Sequence, residues 1–291
     1  MQSKAEVLKW EGRWAKPAAF LTFLAVALLI ASEVVGNPIG GDGQAELLRS
    51  TAEHTSAVTL SSLLQALGFG LFAAPLFYLF RAARVRSEQV RGQLVGLVVI
   101  APLFLAISTG LSADARNDAA ATFVAGDAKS TLSVREAKED CSSERDDLGA
   151  EDFAEEFDPA AGEPPLTACE ERKTEDDEAA NARSEASTAA AVSGFGIAGA
   201  LGLMVSLFYV GLWSMRTGLL GRFWGSLGMA LGVALLLNLL PLALIWLVYL
   251  GLLFAGWVPG GKPPAWAAAE AIPWPTPGEK AAAELEQDPG P

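Results

Sequence analysis

Four runs of twenty or more mostly apolar residues constrain this chain more than anything else in it. They span residues 17–36, 57–80, 92–112 and 192–213. A helix rises ~1.5 Å per residue, so each run can cross the ~30 Å hydrocarbon core of a bilayer. Inside lipid the backbone must satisfy its own hydrogen bonds, which leaves helices or closed barrels, and unbroken runs of this length favour helices. Pro75 and Pro102 should kink the second and third. A last run, 219–257, is about twice the length one crossing needs. A hairpin of two short helices with its apex at "NLLP" (238–241) fits it best, and one long kinked helix is the alternative. The expected fold is therefore an all-α, polytopic transmembrane bundle of six helices, or five in the alternative.

Basic residues set the orientation. Lys4, Lys9, Arg13 and Lys16 precede the first run. Arg81, Arg84, Arg86 and Arg91 follow the second, and Arg216 and Arg222 follow the fourth. The short loop 37–56 has only Arg49. These counts predict a multi-pass protein of the cell membrane with its N-terminus in the cytoplasm. The first run is too long for a signal peptide and no clear A-x-A site follows it, so it reads as an uncleaved helix. Trp10, Trp14, Trp213, Trp224 and Trp257 would form an aromatic belt at the cytoplasmic interface. Residues 3–16 could lie along that interface as a short helix.

The chain carries a formal charge of −13, and one segment accounts for it. Residues 113–190 contain 22 acidic and 8 basic residues, a net −14, which leaves +1 elsewhere. That segment reads as a large extracytoplasmic loop. Its Ala-rich ends should extend the third and fourth helices as stalks. Its middle, 155–166, is broken by Pro and Gly and reads as irregular. The parts expected are thus an N-terminus (1–16), three crossings (17–112), the acidic loop (113–190), three more crossings (191–257) and a Pro-rich tail (258–291) on the cytoplasmic side. The tail holds eight of sixteen prolines and no apolar period, so it reads as a loose extension.

Few residues suggest chemistry. One histidine, His54, and two cysteines leave too few ligands for most zinc or copper sites. No basic stripe is present to meet nucleic acid. The clusters "ERDD" (144–147) and "EDDE" (175–178) lack a calcium-loop pattern and read as solvated charge. Cys141 and Cys169 face an oxidising compartment on this threading and are candidate disulfide partners, stapling the two stalks; the alternative is two unpaired thiols. The polar groups of the spans are Gln65, Asn238 at the hairpin apex, and Glu33 near the outer end of the first helix. "GFGIAG" (194–199) matches a dinucleotide-binding fingerprint, but no strand precedes it and no acid follows at the right distance. We read those glycines as packing. Gly194, Ala198, Gly202 and Ser206 form a small-residue stripe, and Gly228 and Gly232 repeat the theme on the following helix. No catalytic, metal or cofactor-binding residue is assigned.

The stretch "MRTGLLGRFWGSLGMALG" (215–232), followed by "PGGKPPAWAAAEAIPWPTPGE" (259–279), resembles an uncharacterised family of actinobacterial multi-pass membrane proteins. Members share an R-x-G-L-L-x-R-[FW] loop before a glycine-rich helix and a P-A-W…I-P-W-P tail. The likeness covers about the last 80 residues. It implies six helices with the tail inside, and no activity. The acidic segment has no counterpart in it.

The functional expectation is a non-enzymatic membrane protein that presents or senses through its acidic loop. Its partners would be the lipid bilayer and a protein bound at that loop or at the tail, where Trp266 and Trp274 sit among prolines. The alternative is a channel or transporter for a small neutral or cationic solute, drawn in by the acidic field. An intramembrane enzyme is the least favoured reading.

Overall fold

The computed structural model describes residues 3–41, 43–157, 164–236 and 240–274. Among them there are helices and no strands. In chain order the α-helices are α1 (Lys4–Gly36), α2 (Gln44–Glu53), α3 (Thr55–Leu71), α4 (Ala73–Arg86), α5 (Val95–Val124), α6 (Val134–Leu148), α7 (Ala150–Glu156), α8 (Pro165–Glu185), α9 (Ala189–Arg216), α10 (Arg222–Leu236), α11 (Leu240–Ala255) and α12 (Pro264–Ala268). Four helical stretches are long and apolar enough to cross a membrane: Lys4–Gly36, Thr55–Arg86, Gly92–Val124 and Ala189–Arg216. Less than half of each apolar window is covered by protein. Phe20, Leu67, Phe208 and Phe223 point outward, each more than half exposed. Helices apolar on every side suit a membrane rather than water.

The chain forms two compact units. The first comprises residues 1–30, 66–107 and 195–291, and the second 31–65 and 108–194.

The first unit has one large apolar core, with Leu29, Phe72, Leu76, Leu207, Trp246 and Leu250 at its centre. Three of its buried hydroxyls are answered locally: Thr22 donates to the Ala18 carbonyl, Ser206 to Gly202 and Thr217 to Trp213; that of Ser214 has no partner among the described residues. α1 runs straight on from Lys4, so residues 3–16 do not form a separate interfacial helix. The reason is a stripe at four-residue spacing, Val7, Glu11 and Ala15, that is buried and holds this stretch in the fold. The second run breaks at Phe72, between α3 and α4. Pro75 lies just beyond, and its ring conflicts with the carbonyl four residues back. Pro102 stays inside a continuous α5.

The last apolar run divides into α10 and α11. Trp224 stacks on Tyr249 with centroids 3.7 Å apart, and the Trp246 indole N–H donates to the Trp224 carbonyl at 3.0 Å. A Cβ on Gly228 would come within 2.9 Å of Trp246. These pairings run in opposite directions along the chain, so the two helices are antiparallel. Asn238 lies outside the described residues.

The described part of the second unit is mostly helical and holds most of the chain's acidic residues. α5 continues to Val124, as the Ala-rich sequence predicts. The returning stalk does not reach α9 unbroken: α8 ends at Glu185, and α9 starts at Ala189. Asp118 accepts the Ser187 backbone N–H at that break, offering the chain an alternative to the helical bond. The loop 37–56 contains α2, with Ala45, Leu48 and Thr51 on its buried face. One small core is nearly all alanine (Ala45, Ala119, Ala120, Ala128, Ala179, Ala182 and Ala186, with Leu48). A second gathers Phe153, Phe157 and Leu166 around Cys141 and Cys169.

Candidate functional site

A cavity of about 450 Å³ lies within the second unit. The end of α1 contributes Ser32, Glu33 and Gly36, followed by Asn37 and Ile39. α2 adds Leu47, Leu48 and Thr51; α3 adds Ser61 and Gln65; α5 adds Arg116; and α8 adds Arg183. Two polar residues singled out from sequence, Glu33 and Gln65, thus share one lining. The serine, threonine, asparagine and glutamine side chains make it a hydrogen-bonding surface. Its charges are two guanidiniums and one carboxylate. Arg183 donates to the neutral Gln44 side chain. Arg116 is in none of the ion pairs among the described residues, and its charge is disfavoured by burial and by the nearby Arg183. His54 is not in the lining. It caps α2 with Nδ1 3.0 Å from the Ser50 carbonyl oxygen. The cavity's lining is equipped to bind a polar group.

Acidic residues around α8 hold this unit together. Asp176 accepts the Ala45 N–H at 2.9 Å, satisfying one of the open donors at the start of α2. Glu175 pairs with Arg49 at 2.9 Å. Asp177 receives Ser130 Oγ at 2.8 Å and the N–H groups of Thr131 and Leu132 at 2.7 and 3.1 Å. These donors, the Ser130 hydroxyl foremost, hold its carboxyl below the usual range. "EDDE" is therefore a set of caps and clasps, not only a solvated run. Lys173 meets Glu144 of "ERDD" at 2.9 Å. No group of three or more His, Cys, Asp or Glu converges among the described residues.

Cys141 and Cys169 are joined, Sγ to Sγ, at 2.00 Å. The bond does not staple the stalks as expected. Cys141 is on α6, a helix the sequence did not single out, and only Cys169 is on the returning α8. α6 starts at a capping box, Ser133 with Glu136.

The small-residue stripe on α9 also needs correcting. A Cβ on Gly194 would meet nothing within 4 Å, and Ala198 is exposed. The close approaches are at Gly199, where a Cβ would lie 2.6 Å from the Leu105 nitrogen, and at Gly202, 2.8 Å from the Ala101 Cβ. Both face α5. The physical reason is drift. Four-residue steps advance about 40° beyond a full turn at ~3.6 residues per turn, so three steps move a stripe about 120° round the helix. The seam with α10 lies further along. A Cβ on Gly211 would be 3.0 Å from the Gly225 carbonyl oxygen, and one on Gly232 would be 2.9 Å from that of Met204. Ser206 is buried beside it.

In the first unit, the described part of the tail is firmly docked, against the expectation of a loose extension. The Trp266 and Trp274 indoles donate to the carbonyls of Leu219 and Leu220 at 3.0 and 2.9 Å. Ile272 N–H donates to the Thr217 carbonyl at 3.2 Å, and Arg222 to that of Trp274 at 3.3 Å. Gly218 has φ +75°, and a Cβ there would collide with the Ile272 carbonyl. Arg86, fully buried, donates to the Glu11 carboxylate and to the Ala265 carbonyl, the latter at 2.9 and 3.1 Å. Tyr78 O–H donates to the Glu11 carbonyl, and its ring stacks between Trp10 and Trp266. Sequence reading passed over Glu11. Its one signal was an acid on the same helical stripe as Val7 and Ala15. The loop 217–222 and the described tail from Pro264 thus bind each other. Residues 275–291 lie outside the described residues.

No family model, curated protein or solved structure matches this chain.

Proposed function

We propose that this is an integral protein of the cell membrane that presents or senses through a folded, disulfide-bonded acidic unit outside the cytoplasm. Six helices would cross: α1, α3 with α4, α5, α9, α10 and α11. The observation that carries the threading is the docked tail. It hydrogen-bonds to Thr217, Leu219 and Leu220, and Ala265 accepts from Arg86 beside Glu11. The N-terminal stretch, the arginine loop, the 217–222 loop and the tail thus gather in one place. That favours an even number of crossings and the cytoplasmic side that the basic residues indicate. A helix pair of 15 and 16 residues is short for a ~30 Å core, so local thinning or reach of flanking residues would accompany it.

The presenting or sensing role draws on the second unit, which has its own cores, clasps and a cavity. The resemblance to the actinobacterial family agrees with the threading and adds no activity. The channel reading has one feature in its favour, Gln65 and Ser61 lining a cavity. Against it, the first unit's core is apolar, and the buried hydroxyls of Thr22, Ser206 and Thr217 donate to carbonyls four residues back. In liposomes the chain should pass no more of a small neutral or cationic solute than empty vesicles do. Flux abolished by Gln65→Leu would replace the sensing reading with the channel.

A further inference from the structure

We propose that the cavity formed by α1, α2, α3, α5 and α8 binds a phosphate-type oxyanion, held by Arg116 and Arg183. The side from which it arrives rests on the membrane reading above; the binding itself does not.

Four other cations of this unit meet acids. Arg49 has Glu175, Lys173 has Glu144, Arg135 has Glu139 and Arg145 has Asp146. In a segment with nearly three acids for every base, two arginines that line one cavity and share no acid stand out. Burial makes the Arg116 charge costly, and repulsion from Arg183 adds to that cost. An anion between the two groups relieves both. Guanidinium offers paired N–H donors that match the oxygens of a phosphate. Ser32, Asn37, Thr51, Ser61 and Gln65 line the same space and can complete the shell. Its ~450 Å³ falls in the ordinary range for small-ligand sites.

Glu33 narrows the choice. Two arginines and one carboxylate leave a net +1 in the lining. That balance suits a singly charged phosphodiester or dihydrogen phosphate better than a dianion. Glu33 and Gln65 belong to helical stretches apolar enough to cross a membrane. The diester of a lipid headgroup and free phosphate are the two sources of this chemistry.

The test uses the full-length purified protein in detergent, titrated by calorimetry with inorganic phosphate and, separately, with short-chain phosphatidylglycerol kept below its micelle concentration. Saturable binding of one phosphate group per chain is expected, weakened about tenfold or more by Arg116→Gln or by Arg183→Gln, the size expected from losing a charge-assisted bond. Arg49→Gln, which breaks an acid-paired arginine, should leave it unchanged. Melting curves confirm that each variant is folded. Binding of phosphate alone identifies a free oxyanion; binding of the lipid with no response to phosphate identifies a headgroup. No saturable binding of either by the folded wild-type chain overturns the proposal, as does equal loss in Arg49→Gln. Because the protein is in detergent, neither result depends on the membrane orientation, which labelling tests separately.

Discussion

Glu11 and Arg86 form an ion pair in which the arginine is wholly buried and the glutamate nearly so. Removing one partner leaves a charge without solvent or counter-ion, a loss of about 3–5 kcal/mol. Glu11→Ala should therefore destabilise the first unit far more than Glu6→Ala, which touches an exposed turn; thermal melts in detergent check this. Gly218 is a second sensitive position. Its positive φ costs an L residue about 1–2 kcal/mol, and its Cβ would strike the Ile272 carbonyl. Gly218→Ala should release the tail, seen as faster proteolysis after residue 262. Asp177 provides a pH test. Its carboxyl titrates below the ordinary value of 3.8 because hydroxyl and backbone donors favour the ionised form. A depressed folded pKa contributes stability that is complete above the unfolded value and fades as pH falls through the folded one. Melting of the second unit should thus weaken below pH ~4, and Asp177→Asn should flatten that dependence.

At the scale of elements, the disulfide closes a separation of 28 residues, contributing about 3–4 kcal/mol in the chain-entropy account. Cores as small as those of the second unit depend on such cross-links. Cys141→Ser with Cys169→Ser should raise hydrogen exchange across α6 and α8 while leaving α9–α11 unaffected. Helix packing gives a paired test. Gly199→Leu should push α9 from α5 and cost on the order of 1–3 kcal/mol, whereas Gly194→Leu should be nearly silent. That pair also marks what the sequence made legible. Length and apolarity exposed the long helices, because a bilayer imposes both. The split of 219–257 was readable because one helix would be far too long. Position on a helix face was not, since a four-residue pattern drifts and only the neighbour decides which glycine is covered. α2 and α6 were hidden because short amphipathic helices resemble charged loops. The cavity was half visible: Glu33 and Gln65 stood out as polar groups in apolar runs. Arg116 and Arg183 did not, because nothing in a charged segment distinguishes an acid-paired arginine from an unpaired one.

At the scale of the molecule, one chain carries an apolar-faced helical unit and a polar, disulfide-bonded one, and the proposed threading assigns the acidic unit and the docked tail to opposite sides of a membrane. Two single cysteines test that directly, each added to the chain with its native disulfide intact. Val134→Cys lies in the acidic unit and Glu270→Cys in the docked tail, both at exposed positions. A membrane-impermeant maleimide applied to intact cells should label position 134, and label position 270 only after permeabilisation. Labelling at 270 in intact cells would contradict six crossings and leave five.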